Sequence, residues 1–90
     1  MGLDIAEMVM AVERAFHVRL PEEELARIRT VGELYDCLVR QLGIVGVPSQ
    51  RGPYEGELWE RYLDVIETDT GADRRRLTPT ASFVYDLGLY

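Results

Sequence analysis

Apolar residues recur at helical spacing in three separate segments of the chain, and this periodicity constrains the fold more than any other feature. In the first segment they occupy positions i, i+3, i+4, i+7 and i+11, which form one face of an α-helix: Ile5, Met8, Val9, Val12 and Phe16. Similar stripes run from Val31 to Leu42 and from Leu58 to Ile66. No segment shows the alternation typical of a β-strand. The sequence therefore predicts an all-α fold, a helical bundle.

Residues at the segment ends indicate where the first helices start and stop. The run Thr30-Val31-Gly32-Glu33 predicts a capping box at the start of a helix over 31–42, and Gly43 is placed to end that helix in a left-handed conformation. Pro21 followed by three glutamates favours a short helix over 22–27. Asp4 is a suitable first-turn acid for the first helix.

The second half of the chain begins with a connector. Residues 43–56 hold four Gly and two Pro, a composition typical of a loop. A further helix is predicted from about Gly56 to Glu67. The tail after Thr68 reads as a long loop with one turn of helix near 80–85.

Composition bounds the class of protein and its partners. Ninety residues with 47% hydrophobic and 29% charged side chains indicate one small folded domain. All ten basic residues are Arg, and sixteen acids leave a net charge of -6, which favours a protein partner with a basic surface over nucleic acid. No apolar run approaches the ~20 residues of a membrane span, so we expect a cytoplasmic protein without membrane contact. One Cys and one His make neither an internal disulfide nor a metal site.

Residues 3–42, LDIAEMVMAVERAFHVRLPEEELARIRTVGELYDCLVRQL, resemble the acyl carrier protein family from its second helix to its fourth. The matching pieces are the Leu3-Asp4 start, the helix Glu7 to Glu13, the exit Phe16 to Pro21 and the run Ile28 to Val31, which opens the last helix. The resemblance implies a four-helix carrier bundle. In that family a serine at the start of the second helix carries phosphopantetheine.

Residues 57–90 resemble the family's first helix and the loop that leads to this serine. Leu77-Thr78-Pro79, Phe83 and the run from Asp86 to Tyr90 match that loop. The order is thus helices two, three, four and one, a circular permutation within a single domain over 1–90. Two geometries follow from the same pattern: a closed monomer, or a domain-swapped homodimer in which 56–90 packs on 1–45 of a second copy.

The resemblance places Gly2 at the attachment position, where the family has its serine. Because glycine has no hydroxyl, we expect no phosphopantetheine there. Ser49 and Ser82 are other hydroxyls, but neither stands at the carrier position. Ser49 lies in the connector, and Ser82 lies in the loop between the family's first and second helices.

The positions on the second helix that the family uses for docking match this sequence better than the attachment position does. They correspond to Leu3, Asp4, Glu7, Met10 and Glu13, which we expect to bind a partner such as a synthase or transferase. Arg14 and Ala15 stand where acids are common in the family, so this surface is less negative than that of a typical carrier.

The remaining candidates favour structural roles. His17 is expected partly exposed at a helix end, and Cys37 half-buried and unreactive. The cluster Arg74-Arg75-Arg76 is expected to be solvated, or else to meet an acidic partner or the acids Glu22 to Glu24. The chain shows no catalytic residues, so an enzyme is not expected.

The sequence favours a carrier-like domain without its prosthetic arm that docks on an enzyme of fatty-acid or polyketide metabolism. Two alternatives stay open. One is a working acyl carrier with another attachment route, and the other is a purely structural or oligomerisation domain.

Overall fold

Helices account for most of the backbone that the structure describes. The structure is a computed structural model that describes residues 5–43 and 54–89. The helices are α1 (Ile5–Phe16), α2 (Glu22–Leu25), α3 (Val31–Leu42) and α4 (Glu57–Thr70), followed by a 3₁₀ turn at Arg74–Arg76. No strand occurs within these two ranges, where an isolated bridge pairs Thr30 with Ser82. The all-α class predicted from the sequence is confirmed.

The predicted ends of α3 are confirmed. The Thr30 hydroxyl accepts a hydrogen bond from the Glu33 backbone N–H at 3.2 Å, and the Glu33 carboxylate accepts one from the Thr30 N–H at 3.0 Å. These two bonds form a capping box and satisfy N–H groups that a helix leaves unpaired at its start. Gly43 ends α3 with φ of 63°, a left-handed conformation that glycine adopts without steric cost.

Two helices differ in length from the prediction. α2 ends at Leu25 rather than 27 because Arg27 and Ile28 donate to carbonyls three residues back, which tightens the backbone into a turn. α4 continues three residues beyond the predicted end, to Thr70, whose hydroxyl donates to the Ile66 carbonyl at 2.7 Å.

The helical turn predicted near 80–85 does not develop into a regular helix. Residues 83–87 form turns, in which the Asp86 N–H donates to the Ser82 carbonyl at 3.0 Å and the Gly88 N–H to the Val84 carbonyl at 3.2 Å. The side chains of Ser82 and Asp86 accept from two further backbone N–H groups. The Asp86 carboxylate accepts from the Ser82 N–H at 2.6 Å, and the Ser82 hydroxyl accepts from the Tyr85 N–H at 3.1 Å. The tail's helical turn lies earlier, at Arg74–Arg76, where the Asp73 side chain caps the Arg75 N–H.

Both halves of the described chain contribute to one hydrophobic cluster. The members of this cluster are all nearly or fully buried. They are Met8, Val9, Val12, Phe16, Leu20, Val31, Leu34, Tyr35, Cys37, Leu38, Val39, Trp59, Tyr62, Leu63, Ile66, Leu77, Ala81, Phe83 and Leu89. α1 packs along α4. The Tyr35 ring meets Trp59 edge-on with ring centres 4.9 Å apart, and the Tyr62 hydroxyl donates to the Val31 carbonyl at 2.6 Å.

The tail is joined to the start of α3 by backbone hydrogen bonds. Val31 donates to the Ala81 carbonyl at 3.0 Å and Gly32 to the Pro79 carbonyl at 2.9 Å, while Phe83 donates to the Arg29 carbonyl at 3.0 Å. The first N–H groups of a helix have no partner within the helix. The tail supplies acceptors for two of these groups, so 79–83 and the N-terminus of α3 form one structural unit.

Substituting Gly32 tests how closely the tail approaches α3. A Cβ at this position would lie 2.7 Å from the Pro79 carbonyl oxygen, which is backbone and cannot move aside cheaply. Glycine to alanine inside a helix normally stabilises by up to about 1 kcal/mol. We expect Gly32→Ala to lower the free energy of unfolding by about 1–3 kcal/mol instead, because the added methyl group forces the tail away. Urea denaturation measures the difference, and an unchanged or raised midpoint would contradict this packing.

Candidate functional site

The outer face of α1 carries the two sequence-predicted docking residues that the structure leaves open to solvent. Met10 is 51% exposed, and Glu7 in the preceding turn is also exposed. The opposite face of the helix holds the buried residues Met8, Val9 and Val12. Leu3 and Asp4, predicted to extend this surface, lie outside the described residues, as does Gly2.

Glu13, predicted as a docking acid, has a structural contact. Its carboxylate oxygen Oε2 accepts a hydrogen bond from the Leu20 backbone N–H at 2.8 Å, and the side chain is half-buried. This bond holds the segment that leaves α1 against the helix end. His17 in that segment is exposed and has φ of 55°, the left-handed region that few non-glycine residues occupy. Glu13 is therefore less available to a partner than Glu7.

The arginine cluster of the tail does not behave as one unit. Arg74 donates to the Glu60 carboxylate at 2.5 Å and to the Asp64 carboxylate at 2.6 Å, both on α4. Arg75 pairs with Asp73 at 3.0 Å. The expectation that Arg74 is solvated or near Glu22 to Glu24 is wrong, because the 3₁₀ turn packs against α4 and places Arg74 over its acids.

The acids Glu22 to Glu24 have a different neighbour. Glu24 forms an ion pair with Arg40 of α3, and its second oxygen accepts from the Gln41 amide at 3.5 Å. Glu22 and Glu23 are exposed. Ion pairs this exposed add little stability, so the Glu24 contact chiefly orients α2 against α3.

Cys37 is more deeply buried than predicted, with no exposed surface. It belongs to the hydrophobic cluster that both halves of the described chain build. Burial and the nearby Glu24 carboxylate raise the pKa of its thiol to about 11. The thiolate, which is the reactive form, is scarce at neutral pH, so the side chain acts as a small apolar core residue.

Hydroxyls and ionisable groups provide no assembled catalytic or metal site in the part of the chain that the structure describes. Ser82 is half-buried, and its hydroxyl serves the tail turn as an acceptor. No group of three or more His, Cys, Asp or Glu side chains there could hold a metal ion. None of the described helices combines the length and apolar character required to cross a membrane.

Sequence reasoning missed two features of the tail surface. Tyr85 is 91% exposed although its neighbours Phe83 and Leu89 are buried. Arg76, unlike the two arginines before it, has no ion pair with any residue in 5–43 or 54–89. Local pattern could not separate these residues from their neighbours, because the difference arises from which side chains the turn directs toward the core.

The described helices form an all-α bundle, and comparisons with known proteins show a similarity to acyl carrier proteins over part of the chain. Residues 3–38 match a protein family described as "Phosphopantetheine attachment site". The chain is 47% identical over 39 residues to an acyl carrier protein of Syntrophobacter fumaroxidans, which covers 43% of this chain and 48% of that protein. It is 38% identical over 41 residues to an acyl carrier protein of Amoebophilus asiaticus, covering 46% and 51%.

A third relative is similar in kind. An acyl carrier protein of Wolinella succinogenes is 47% identical over 33 residues, which cover 37% of this chain and 43% of that protein. The chain thus spans about half the length of the curated relatives it matches. No solved structure matches at a significant level. The matches support a relationship to acyl carrier proteins over the segment that forms α1, α2 and most of α3.

The two glutamates of α1 can be separated by their effect on stability. Glu13→Ala removes the acceptor of the half-buried Leu20 N–H, and we expect it to lower the free energy of unfolding by about 1–2 kcal/mol. Glu7→Ala removes an exposed side chain and should change it by less than about 0.5 kcal/mol. Glu13→Gln keeps an acceptor oxygen, so its effect on the free energy of unfolding should lie between those of the other two variants. Thermal and urea denaturation of the three variants measure this order, which equal effects at both positions would contradict.

Proposed function

We propose that this chain is an acyl-carrier-like domain that lacks a phosphopantetheine arm and docks on an enzyme of fatty-acid or polyketide metabolism. The exposed pair Glu7 and Met10 on α1 is the observation that carries the docking role. The N-terminal segment supplies the equivalents of the family's second to fourth helices, and α4 with the tail supplies the first helix and its loop. The domain extends over residues 1–90.

The packing of α4 and the tail supports this rearranged order. α4 lies along α1, and the Tyr62 hydroxyl reaches the Val31 carbonyl in α3. The tail segment 79–83 bonds to the start of α3. A carrier bundle needs its first helix and the following loop to close the core over the other helices. Here α4 and the tail, which follow the connector in sequence, cover the core in this way.

The residues present do not fit a covalent phosphopantetheine group at the family's attachment position. Attachment requires a side-chain hydroxyl that attacks the cofactor's pyrophosphate, and the resemblance places Gly2 there. Ser82 is no substitute in this proposal, because it stands in the loop between the family's first and second helices and not at the carrier position. In this proposal the domain therefore has no hydroxyl that could receive the phosphopantetheine group, and it retains only the surface that recognises a partner.

The docking surface of α1 combines one apolar side chain with acidic groups. An exposed methionine adapts its shape to an apolar pocket of a partner. Glu7, with Asp4 three positions earlier in the sequence, attracts a basic patch and sets the orientation of encounter. The partner is a protein with a basic surface, such as a synthase or transferase, and the chain itself is a closed monomer in preference to a domain-swapped dimer.

A modification assay tests whether the arm is absent. The protein is incubated with coenzyme A and a phosphopantetheinyl transferase of broad specificity, and its intact mass is measured. We expect no mass increase for the natural chain. The Gly2→Ser variant reports whether only the hydroxyl is missing, and an authentic acyl carrier protein is the positive control. A stoichiometric adduct on the natural chain would favour a working carrier and reject the arm-less function.

A binding assay tests the surface of α1 independently of the arm. The ligand is a synthase of the source organism that accepts acyl carrier proteins, immobilised for surface plasmon resonance. Met10→Ala should weaken binding roughly fivefold, which corresponds to about 1 kcal/mol. Glu7→Gln should weaken it less at high salt than at low salt, because screening reduces its contribution. Val84→Ala, another exposed apolar residue, is the matched control; an equal loss there, or none at Met10, would contradict docking through α1.

A further inference from the structure

A shallow polar depression lies on the tail surface, between the 3₁₀ turn and the turns at 83–87. Its volume of about 540 Å³ is within the range of small-molecule sites in proteins. The side chains that line it are Arg76, Thr78, Thr80, Ala81, Tyr85 and Asp86. Four of them carry N–H or O–H donors: Arg76, Thr78, Thr80 and Tyr85.

These donors are not consumed by contacts within the structure. Across residues 5–43 and 54–89, Arg76 makes no ion pair, and the hydroxyls of Thr78, Thr80 and Tyr85 make no hydrogen bond. Asp73, which is near in sequence, is held by Arg75, whose hydrogen bonds are the main cause of its lowered pKa; the charge of Arg76 adds a smaller effect. The guanidinium and hydroxyls are therefore available to a ligand.

The surrounding charges select the ligand. Arg74 is paired with Glu60 and Asp64 on α4, and Arg75 with Asp73, so among the described residues Arg76 is the member of the cluster without an ion pair. A guanidinium flanked by hydroxyl donors suits the oxygens of a phosphate group. The depression is larger than a bare phosphate requires, which leaves room for an attached organic group along Thr78 and the Tyr85 ring.

Asp86 adds a second requirement. Its carboxylate accepts from the Ser82 N–H at 2.6 Å and lines the same depression. A carboxylate repels a bare anion placed next to it but accepts a hydrogen bond from a hydroxyl or amide N–H. A ligand that places its phosphate at Arg76 and a hydroxyl or N–H at Asp86 satisfies both groups.

We propose that this depression binds a small organic phosphate. The phosphate group binds Arg76 and the adjacent hydroxyls, and a hydroxyl or N–H group of the same ligand donates to Asp86. The site is distinct from the α1 surface and does not depend on docking there. It uses residues of the tail, between Arg76 and Asp86, all of which the structure describes.

Titration of the ¹⁵N-labelled full chain with glycerol 3-phosphate, followed by amide chemical shifts, tests the site. We expect saturable shifts at Leu77, Ala81 and Asp86, weaker binding of inorganic phosphate, and no response to glycerol. Arg76→Gln should weaken binding at least about tenfold, since it removes a charged hydrogen-bond donor. Arg75→Gln changes the net charge equally but removes an arginine already paired with Asp73, and should leave the affinity within about twofold.

Several results would overturn the proposal. Shifts that do not saturate, or an equal loss in the two arginine variants, would show only general attraction of an anion to the tail. Equal affinity for inorganic phosphate and glycerol 3-phosphate would reject the organic ligand. Dispersed amide spectra of both variants, with shifts confined to the substituted turn, establish that each remains folded.

Discussion

The pairing of the tail with the first turn of α3 is the interaction on which the rest of the structure depends. A helix leaves its first N–H groups without partners, and two of those in α3 donate to carbonyls of Pro79 and Ala81. This pairing brings Phe83 and Leu77 into the core, where they cover apolar faces that the first half of the chain would otherwise expose to water. The absence of a side chain at Gly32 makes the approach possible.

Local signals predicted the helices well and the tail poorly, for a physical reason. The capping box at Thr30 and the stop at Gly43 depend on neighbours in sequence, so they could be read from the residues alone. The position of Arg74 depends on contacts with acids of α4 that lie ten or more residues earlier in the chain. The conformation around Ser82 depends on which side chains and carbonyls bind the local backbone N–H groups. A pattern of apolar residues near 80–85 cannot reveal that Asp86 takes the Ser82 N–H or that Arg74 lies over α4.

The candidate site, too, was predictable from the sequence only in part. The resemblance identified Glu7 and Met10, which are exposed, but could not show that Glu13 holds the exit from α1 through the Leu20 N–H. It also directed attention to α1, whereas six acids and one arginine lie between Glu55 and Asp69, mostly on α4. Arg74 offsets part of that charge by binding Glu60 and Asp64. Acidic composition alone therefore does not say which surface meets a basic partner.

Both halves of the described chain close on each other into a single hydrophobic core. The most direct measurement is the set of nuclear Overhauser contacts between the amide of Val31 or Gly32 and protons of residues 79–81, recorded on labelled protein and on a mixture of labelled and unlabelled chains. We expect these contacts in the uniformly labelled sample and their absence from the filtered interchain spectrum. Contacts that appear only between chains, or no contacts at all, would contradict this expectation.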